Sequence, residues 1–527
     1  MVFSTIIFLC VFLPLTILIY YLMPGRAKNY FLLFASLLFY AWGEPRFVFV
    51  MLGSIVCNYI FGMLLGRIGS GAGGAYDAGT GDPDGSRPGA QTGEMWRRKL
   101  ILALAVLLNL SILFVFKYLT FGMENLHKVF PDLPVWQIAL PIGISFYTFQ
   151  GMSYVIDVYR DRELAQRNPF KLALYIAMFP QLIAGPIVRY KDIRMSLDAR
   201  KHTLERFADG AGRFVIGLSK KAILANMTGQ LADAIQTGDF SVMSAAVAWL
   251  GAIAYTLQIY FDFSGYSDMA IGLGKIFGFD FAENFNYPYI SKSIREFWRR
   301  WHISLSGWFR DYLYIPMGGS RRGNVYLHLL IVFMATGIWH GAAWGFLFWG
   351  LWHGFFILLE RFVTEHMRRR GNQSSDVPAT NGIKPGEAAY KGVGTGAIRH
   401  GIGTAVRWLY TMLVVVIGWV LFSLVDLKSF ISYLAVMFGA NAGHFYAYGI
   451  RYYLSNQMLF YLAIAILACV PWKHVIKCVC PDIYDRIFTA PSTPVFCLQR
   501  LLLLVLLVFC FIFIINSSYN PFIYFRF

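Results

Sequence analysis

Twelve apolar runs recur along the chain, at 3–23, 29–43, 46–66, 100–117, 138–157, 170–188, 243–261, 325–340, 342–361, 404–424, 456–471 and 499–516. Each can cross, or nearly cross, the roughly 30 Å hydrocarbon core of a bilayer. Lipid offers the backbone no hydrogen-bond partner, so spanning segments must satisfy their own peptide groups. The expected fold class is an all-α polytopic membrane protein with about ten to twelve transmembrane helices. Several runs are short or broken by Gly and Pro. Re-entrant and interfacial helices are therefore expected among them, where protein or a water-filled cavity covers the backbone.

Only 14% of the residues are charged and 57% are hydrophobic, against roughly 25% charged in soluble domains. The net charge of +17 sits in short loops between apolar runs. That is the positive-inside pattern, with attraction to anionic lipid, and no basic soluble domain stands apart to bind nucleic acid. Residues 2–23 lack a basic leader and read as a first span, not a removed signal peptide. Arg26 and Lys28 then place the following loop in the cytoplasm and the N-terminus outside.

The seven cysteines (Cys10, Cys57, Cys469, Cys478, Cys480, Cys497 and Cys510) form no paired framework, and most lie in apolar runs as small hydrophobes. Cys478 and Cys480 near His474 lack the wider, repeated spacing of a zinc site, so no metal is expected. Two linkers interrupt an otherwise single domain spanning 1–527: a Gly-rich stretch at 69–93, expected to be disordered and cytoplasmic, and a polar one at 368–399.

Chemistry concentrates where ionisable groups enter apolar surroundings. His340 and His353 lie on the two apolar runs between Val325 and Phe362, and an imidazole at membrane depth is a functional candidate by default. His302 follows Trp301 in a basic, aromatic stretch from Arg295 to Arg322. Histidine also moves protons near neutral pH. Arg299, Arg300 and Arg310, with Asp311, fit either a phosphate-bearing ligand or an interface-anchoring belt. Asp262 and Asp268 lie six residues apart, on different faces of a helix, which argues against a carboxylate pair. Hydrogen bonding to helix ends and tyrosines is the plainer expectation for both.

The stretch from Trp298 through His302 to Ser306, continuing from Trp308 to Gly319, resembles the signature of the membrane-bound O-acyltransferases. It is closest to the bacterial branch of alginate O-acetyltransferases and teichoic acid D-alanyl transferases. Leu140–Gln150, Phe179–Ile187, Phe261–Ala270, Gly337–Gly341 and Asn520–Phe525 add matches in the same order. The resemblance implies acyl transfer to a hydroxyl, with His340 as the catalytic histidine and His302 as its partner. Trp298, Arg299, Arg300, Trp301, Arg310, Asp311 and Tyr312 become candidates for substrate or donor binding. His353, Asp262 and Asp268 become candidates for a supporting shell. It further implies tilted helices enclosing a central funnel in a bacterial inner membrane, and an acyl-thioester donor such as acetyl-CoA with no tightly bound cofactor. The acceptor would be an exported polysaccharide or a periplasmic or extracellular partner acetyltransferase. The residues fit this chemistry, because an alcohol needs a positioned base before it attacks. Acyl transfer of another kind, D-alanyl included, remains open. So does a proton-coupled transporter, although the inverted halves usual in that class are not evident.

Overall fold

The computed structural model describes residues 2–68, 88–373, 396–441, 446–489, 492–517, 519 and 522–523. Most of both linkers lies outside this set. Residues 88–93 continue as the first turns of helix Pro88–Leu113, so the helical segment begins earlier than composition indicates. Pro88 suits that position, since a first-turn proline sacrifices no intrahelical hydrogen bond.

The described residues are helical, with no strand among them. Among the described residues, six helices are long and apolar enough to cross a membrane: Val48–Arg67, Gly93–His127, Ala245–Ile276, Trp344–Met367, Gly403–Ser423 and Thr493–Asn516. Asn456–Ala468 and Trp472–Val479, bent by 61° at their junction, would make a seventh span if counted as one. This is below the ten to twelve expected from hydropathy. The physical reason lies in the breaks. Phe8–Leu22, Val325–His340 and Leu427–Met437 end short of a full crossing. The run at 170–188 splits into Pro169–Ala177 and Phe179–Leu182, with Met178 extended and Pro180 just beyond it. In the run at 138–157 the helix begins only at Ile144, after a left-handed Gly143.

The chain forms two compact units. One comprises residues 1–226, 259–283 and 486–527, the other residues 227–258 and 284–485, and helix Ala245–Ile276 contributes to both. In the first unit, helix Leu204–Ser219 meets that long helix backbone to backbone. A Cβ on Gly217 would lie 2.6 Å from the carbonyl oxygen of Gly265, and one on Gly210 would lie 2.6 Å from that of Gly272. Small residues seven apart on both helices therefore allow the crossing, as in membrane helix packing generally. Elsewhere in this unit Asn58 and Asn109, both fully enclosed, exchange amide hydrogen bonds of 3.1 and 2.9 Å.

The second unit carries all three candidate histidines. Its centre is the pair Val325–His340 and Trp344–Gln373, which cross at Gly337 and Gly350. A Cβ at Gly337 would come within 2.4 Å of the Phe346 carbonyl oxygen, and one at Gly350 within 2.3 Å of that of Phe333. Gly341, which ends the first of these helices, faces the Phe346 ring at 2.2 Å by the same measure. Helix Gly396–Ser423 packs beside them, with Gly418 admitting the ring of His353.

Candidate functional site

The site is built on a sharp turn. His302 is fully buried and adopts φ 44°, a left-handed backbone that few residues other than glycine accept. Asn284 holds this turn in place. Its carbonyl oxygen accepts from the N–H of Ile303 (2.9 Å). Its side-chain oxygen accepts from the Ser304 N–H (3.2 Å) and hydroxyl (2.8 Å). A backbone N–H can only donate, so the Asn284 amide presents oxygen here. His302 Nδ1, 3.0 Å from the same oxygen, must then carry the proton, which makes Nε2 the accepting nitrogen. Burial drives the His302 pKa down to about 3. The ring is neutral at physiological pH, a state suited to accepting a hydrogen bond or a proton.

Rings link His302 to the other histidines. The Trp339 indole lies 6.1 Å from His302 and 5.0 Å from His340, centroid to centroid. Trp349 lies 4.9 Å from His340 and 5.2 Å from His353. Phe422 closes the far side of His340 at 5.3 Å. His302, His340 and His353 thus share one aromatic cluster, with Trp339 between the first two and Trp349 between the last two. His340 occupies the last position of helix Val325–His340, and 5% of its surface stays exposed. His353 is sealed among Phe297, Trp298, Trp349 and Trp419, and neither ring nitrogen meets a hydrogen-bond partner among the described residues.

Beside the cluster runs a groove of about 300 Å³. Four guanidinium groups line it, from Arg295, Arg299, Arg310 and Arg361, and no carboxylate does. Its apolar floor includes Leu329, Val332, Phe333 and Thr336 from helix 325–340. Trp298 forms the back wall and touches Phe333 (5.5 Å) on one side and His353 (5.1 Å) on the other. Thr336 lies one helical turn before His340, so the groove follows the helix that carries it. Helix Ile294–Arg300 presents Arg295 and Arg299 on one face because its start is firmly capped. The Ser293 hydroxyl accepts from the Glu296 N–H, and the Glu360 carboxylate accepts from the N–H groups of Ile294 (2.6 Å) and Arg295 (3.2 Å).

Of the residues singled out from sequence, Trp298, Arg299 and Arg310 line the groove. The other four do not. Arg300 reaches back to Glu296 (3.0 Å) and to the carbonyl of Asn286 (3.1 Å). Trp301 stacks against Phe297 and Trp419, Asp311 accepts from Arg310 Nε (2.8 Å), and Tyr312 packs on Trp308. Asp262 and Asp268 belong to the first unit and make ion pairs, not bonds to tyrosines. Asp262 pairs with buried Lys221 (2.7 Å) and accepts from the Ile523 N–H (2.8 Å). Asp268 bridges Arg213 and Lys220, each at 2.6 Å. All three cationic partners project from residues 213–221, a register that spacing within 262–268 cannot reveal. Sequence reasoning missed Asn284, Arg295, Arg361 and Trp349 as site residues. Nothing local marks Asn284. Arg361 carried a weak signal, as a charge closing an apolar run.

A family model described as MBOAT, the membrane-bound O-acyltransferase family, matches residues 95–377, which include every groove and histidine residue above. The chain belongs to the membrane-bound O-acyltransferase family. Among similar family members, a probable alginate O-acetylase of Azotobacter vinelandii is 42% identical over 80% of this chain and 75% of its own. One from Pseudomonas putida is 37% identical over the whole of both chains. A peptidoglycan O-acetyltransferase of Helicobacter pylori is 31% identical over 84% of this chain and 80% of its own. This membrane-bound O-acyltransferase is thus an enzyme with several apolar helices and a multi-pass place in a membrane.

Proposed function

We propose that the enzyme moves an acetyl group from a cytoplasmic acyl thioester to a hydroxyl of an exported polysaccharide, or of an extracytoplasmic partner that completes the transfer. One observation supports this most. A groove rimmed by four arginines runs along the helix that ends in His340. A donor such as acetyl-CoA would set its phosphates on the guanidinium forks of Arg295, Arg299, Arg310 and Arg361. Its thioester arm would lie over Val332 and Thr336 towards His340. The acceptor would arrive from the opposite face of a funnel whose narrow point is His340, in the bacterial inner membrane. The likeness to alginate and peptidoglycan O-acetyltransferases supports a polymer acceptor and an acetyl group.

His340 takes the proton of the acceptor hydroxyl as its oxygen attacks the thioester carbonyl carbon. The tetrahedral intermediate then expels the thiolate, which recovers that proton from the imidazolium. An ester and a free thiol result, and His340 is neutral again. Neutral His302, held by Asn284, orients the acceptor through Nε2. Fixing both substrates against one base supplies much of the rate.

The test uses full-length protein in nanodiscs, with release of free thiol and acetyl ester measured together. His340→Ala, with its inserted fold intact, is expected to lose roughly a hundredfold or more of the turnover. A folded variant that still acetylates its acceptor would end the assignment. Mass spectrometry of surface polymers from wild-type and deletion cells identifies the acceptor, and acetyl esters unchanged in every polymer would refute the substrate class.

A further inference from the structure

The first unit holds a second concentration of positive charge, at the end of the first apolar helix. Lys28 Nζ sits over the rings of Tyr20 (4.9 Å) and Tyr21 (5.2 Å), and the Arg200 guanidinium lies over Tyr20 (5.9 Å) and Phe279 (4.4 Å). His202 packs edge-on to both tyrosines, at 5.6 and 5.7 Å. Gly278, with φ 83°, makes room for it, since a Cβ there would lie 2.9 Å from the imidazole and 3.1 Å from the Arg200 side chain. Arg206 completes the set. Among the described residues, the one carboxylate bonded to any of these groups is Asp280, 2.9 Å from Arg206.

Three buried nitrogens in this cluster have no hydrogen-bond partner among the described residues: Arg200 Nη1, His202 Nδ1 and Arg206 Nε. Buried polar atoms normally find partners, and a group of orphans calls for a missing one. An oxyanion supplies several acceptor lone pairs and negative charge beside Lys28 and Arg200, where Asp280 answers Arg206 alone. The flanking side chains indicate where it comes from. Leu22 is 75% and Leu204 84% exposed, so apolar surface adjoins the charges on both sides. A free phosphate has no use for that surface, whereas a lipid has.

We propose that Lys28, Arg200, His202 and Arg206 form a binding site for the phosphodiester headgroup of an anionic phospholipid, with its acyl chains against Leu22 and Leu204. This site is independent of the acyl-transfer reading. His202 makes it sensitive to pH. Tyr20 donates its hydroxyl hydrogen to the Phe277 carbonyl (2.9 Å), so its oxygen accepts weakly from His202 Nε2 (3.4 Å), and Nδ1 is bare in the neutral ring. Burial and the charges of Lys28, Arg200 and Arg206 hold His202 at a pKa of about 4. The groups facing it are Tyr20, Tyr21, Lys28, Arg200 and Arg206, with Asp280 behind Arg206. A bound phosphodiester would favour the proton on Nδ1, so affinity rises as pH falls.

The test is native mass spectrometry of the full chain in micelles doped equally with phosphatidylglycerol and phosphatidylcholine. Wild type is expected to retain phosphatidylglycerol selectively, and more at pH 6 than at pH 8. Lys28→Gln should weaken retention about fivefold, and His202→Gln should abolish the pH dependence. Asp280→Asn removes the competing carboxylate and should strengthen retention, the opposite of what a merely structural lesion would do. Equal retention of the two lipids, or Asp280→Asn weakening it, overturns the proposal. Displacement by millimolar inorganic phosphate would make this a free-oxyanion site and overturn the lipid assignment.

Discussion

Asn284 carries more of the site than any other single side chain. Its side-chain oxygen satisfies Ser304 and fixes the tautomer of His302, and with its backbone carbonyl, which takes the Ile303 N–H, it holds a left-handed turn that costs about 1–2 kcal/mol. Asn284→Ala leaves buried donors unmatched, each costing about 1–3 kcal/mol. The expected outcome is a lower unfolding temperature in detergent together with a fall in kcat, and a variant matching wild type in both would refute the role. His302 also sets a pH dependence. Its folded pKa, about 3, lies below the ordinary 6.5, so between these values the unfolded chain binds the extra proton. Stability therefore falls as pH is lowered from about 6.5 towards 3. His202, also depressed, acts in the same direction. Unfolding temperatures of His302→Gln should vary less over this window than those of wild type.

At the scale of elements, the decisive contact is the crossing of helices 325–340 and 344–373. Gly337 and Gly350 bring their backbones together, and through that contact Trp349 reaches His340. Gly350→Val would drive a side chain into the Phe333 carbonyl, and overpacking of this kind costs about 1–3 kcal/mol or more. Loss of folded protein on size-exclusion chromatography is expected, whereas Gly307→Ala, whose Cβ meets nothing within 4 Å, should be silent. The short helix 294–300 shows how local chemistry aims a functional face. Ser293 and Glu360 cap it, and the cap directs Arg295 and Arg299 into the groove.

For the whole molecule, the groove predicts how donor affinity responds to charge. Arg299→Gln, which leaves the histidines in place, should raise the donor KM several-fold with a smaller change in kcat. Added salt should raise the wild-type KM and affect the variant less. Unchanged KM values would place the donor elsewhere. The same scale explains the span count. Hydropathy measures how apolar a run is, but Met178 and Gly143 break the helices within two such runs.

Membrane class and helical fold follow from residue type alone, because burying a bare peptide group in lipid is costly wherever it occurs, and the like cost for an imidazole singled out His340 and His353. The ordered motifs from Leu140 to Gly341 carried the family in the same way, as strings of neighbours. The placement of His353 and of the arginines was harder. Thirteen residues separate His353 from His340, and only the Gly337–Gly350 crossing brings both rings onto Trp349. Which guanidiniums line the groove was not legible either: Arg300 turns back to Glu296, whereas Arg310 lines the groove although it pairs with Asp311. Asn284, Arg361 and the partners of Asp262 and Asp268 depend on contacts between segments distant in the chain. Such contacts are set by how helices pack, a property that no local pattern of residues contains.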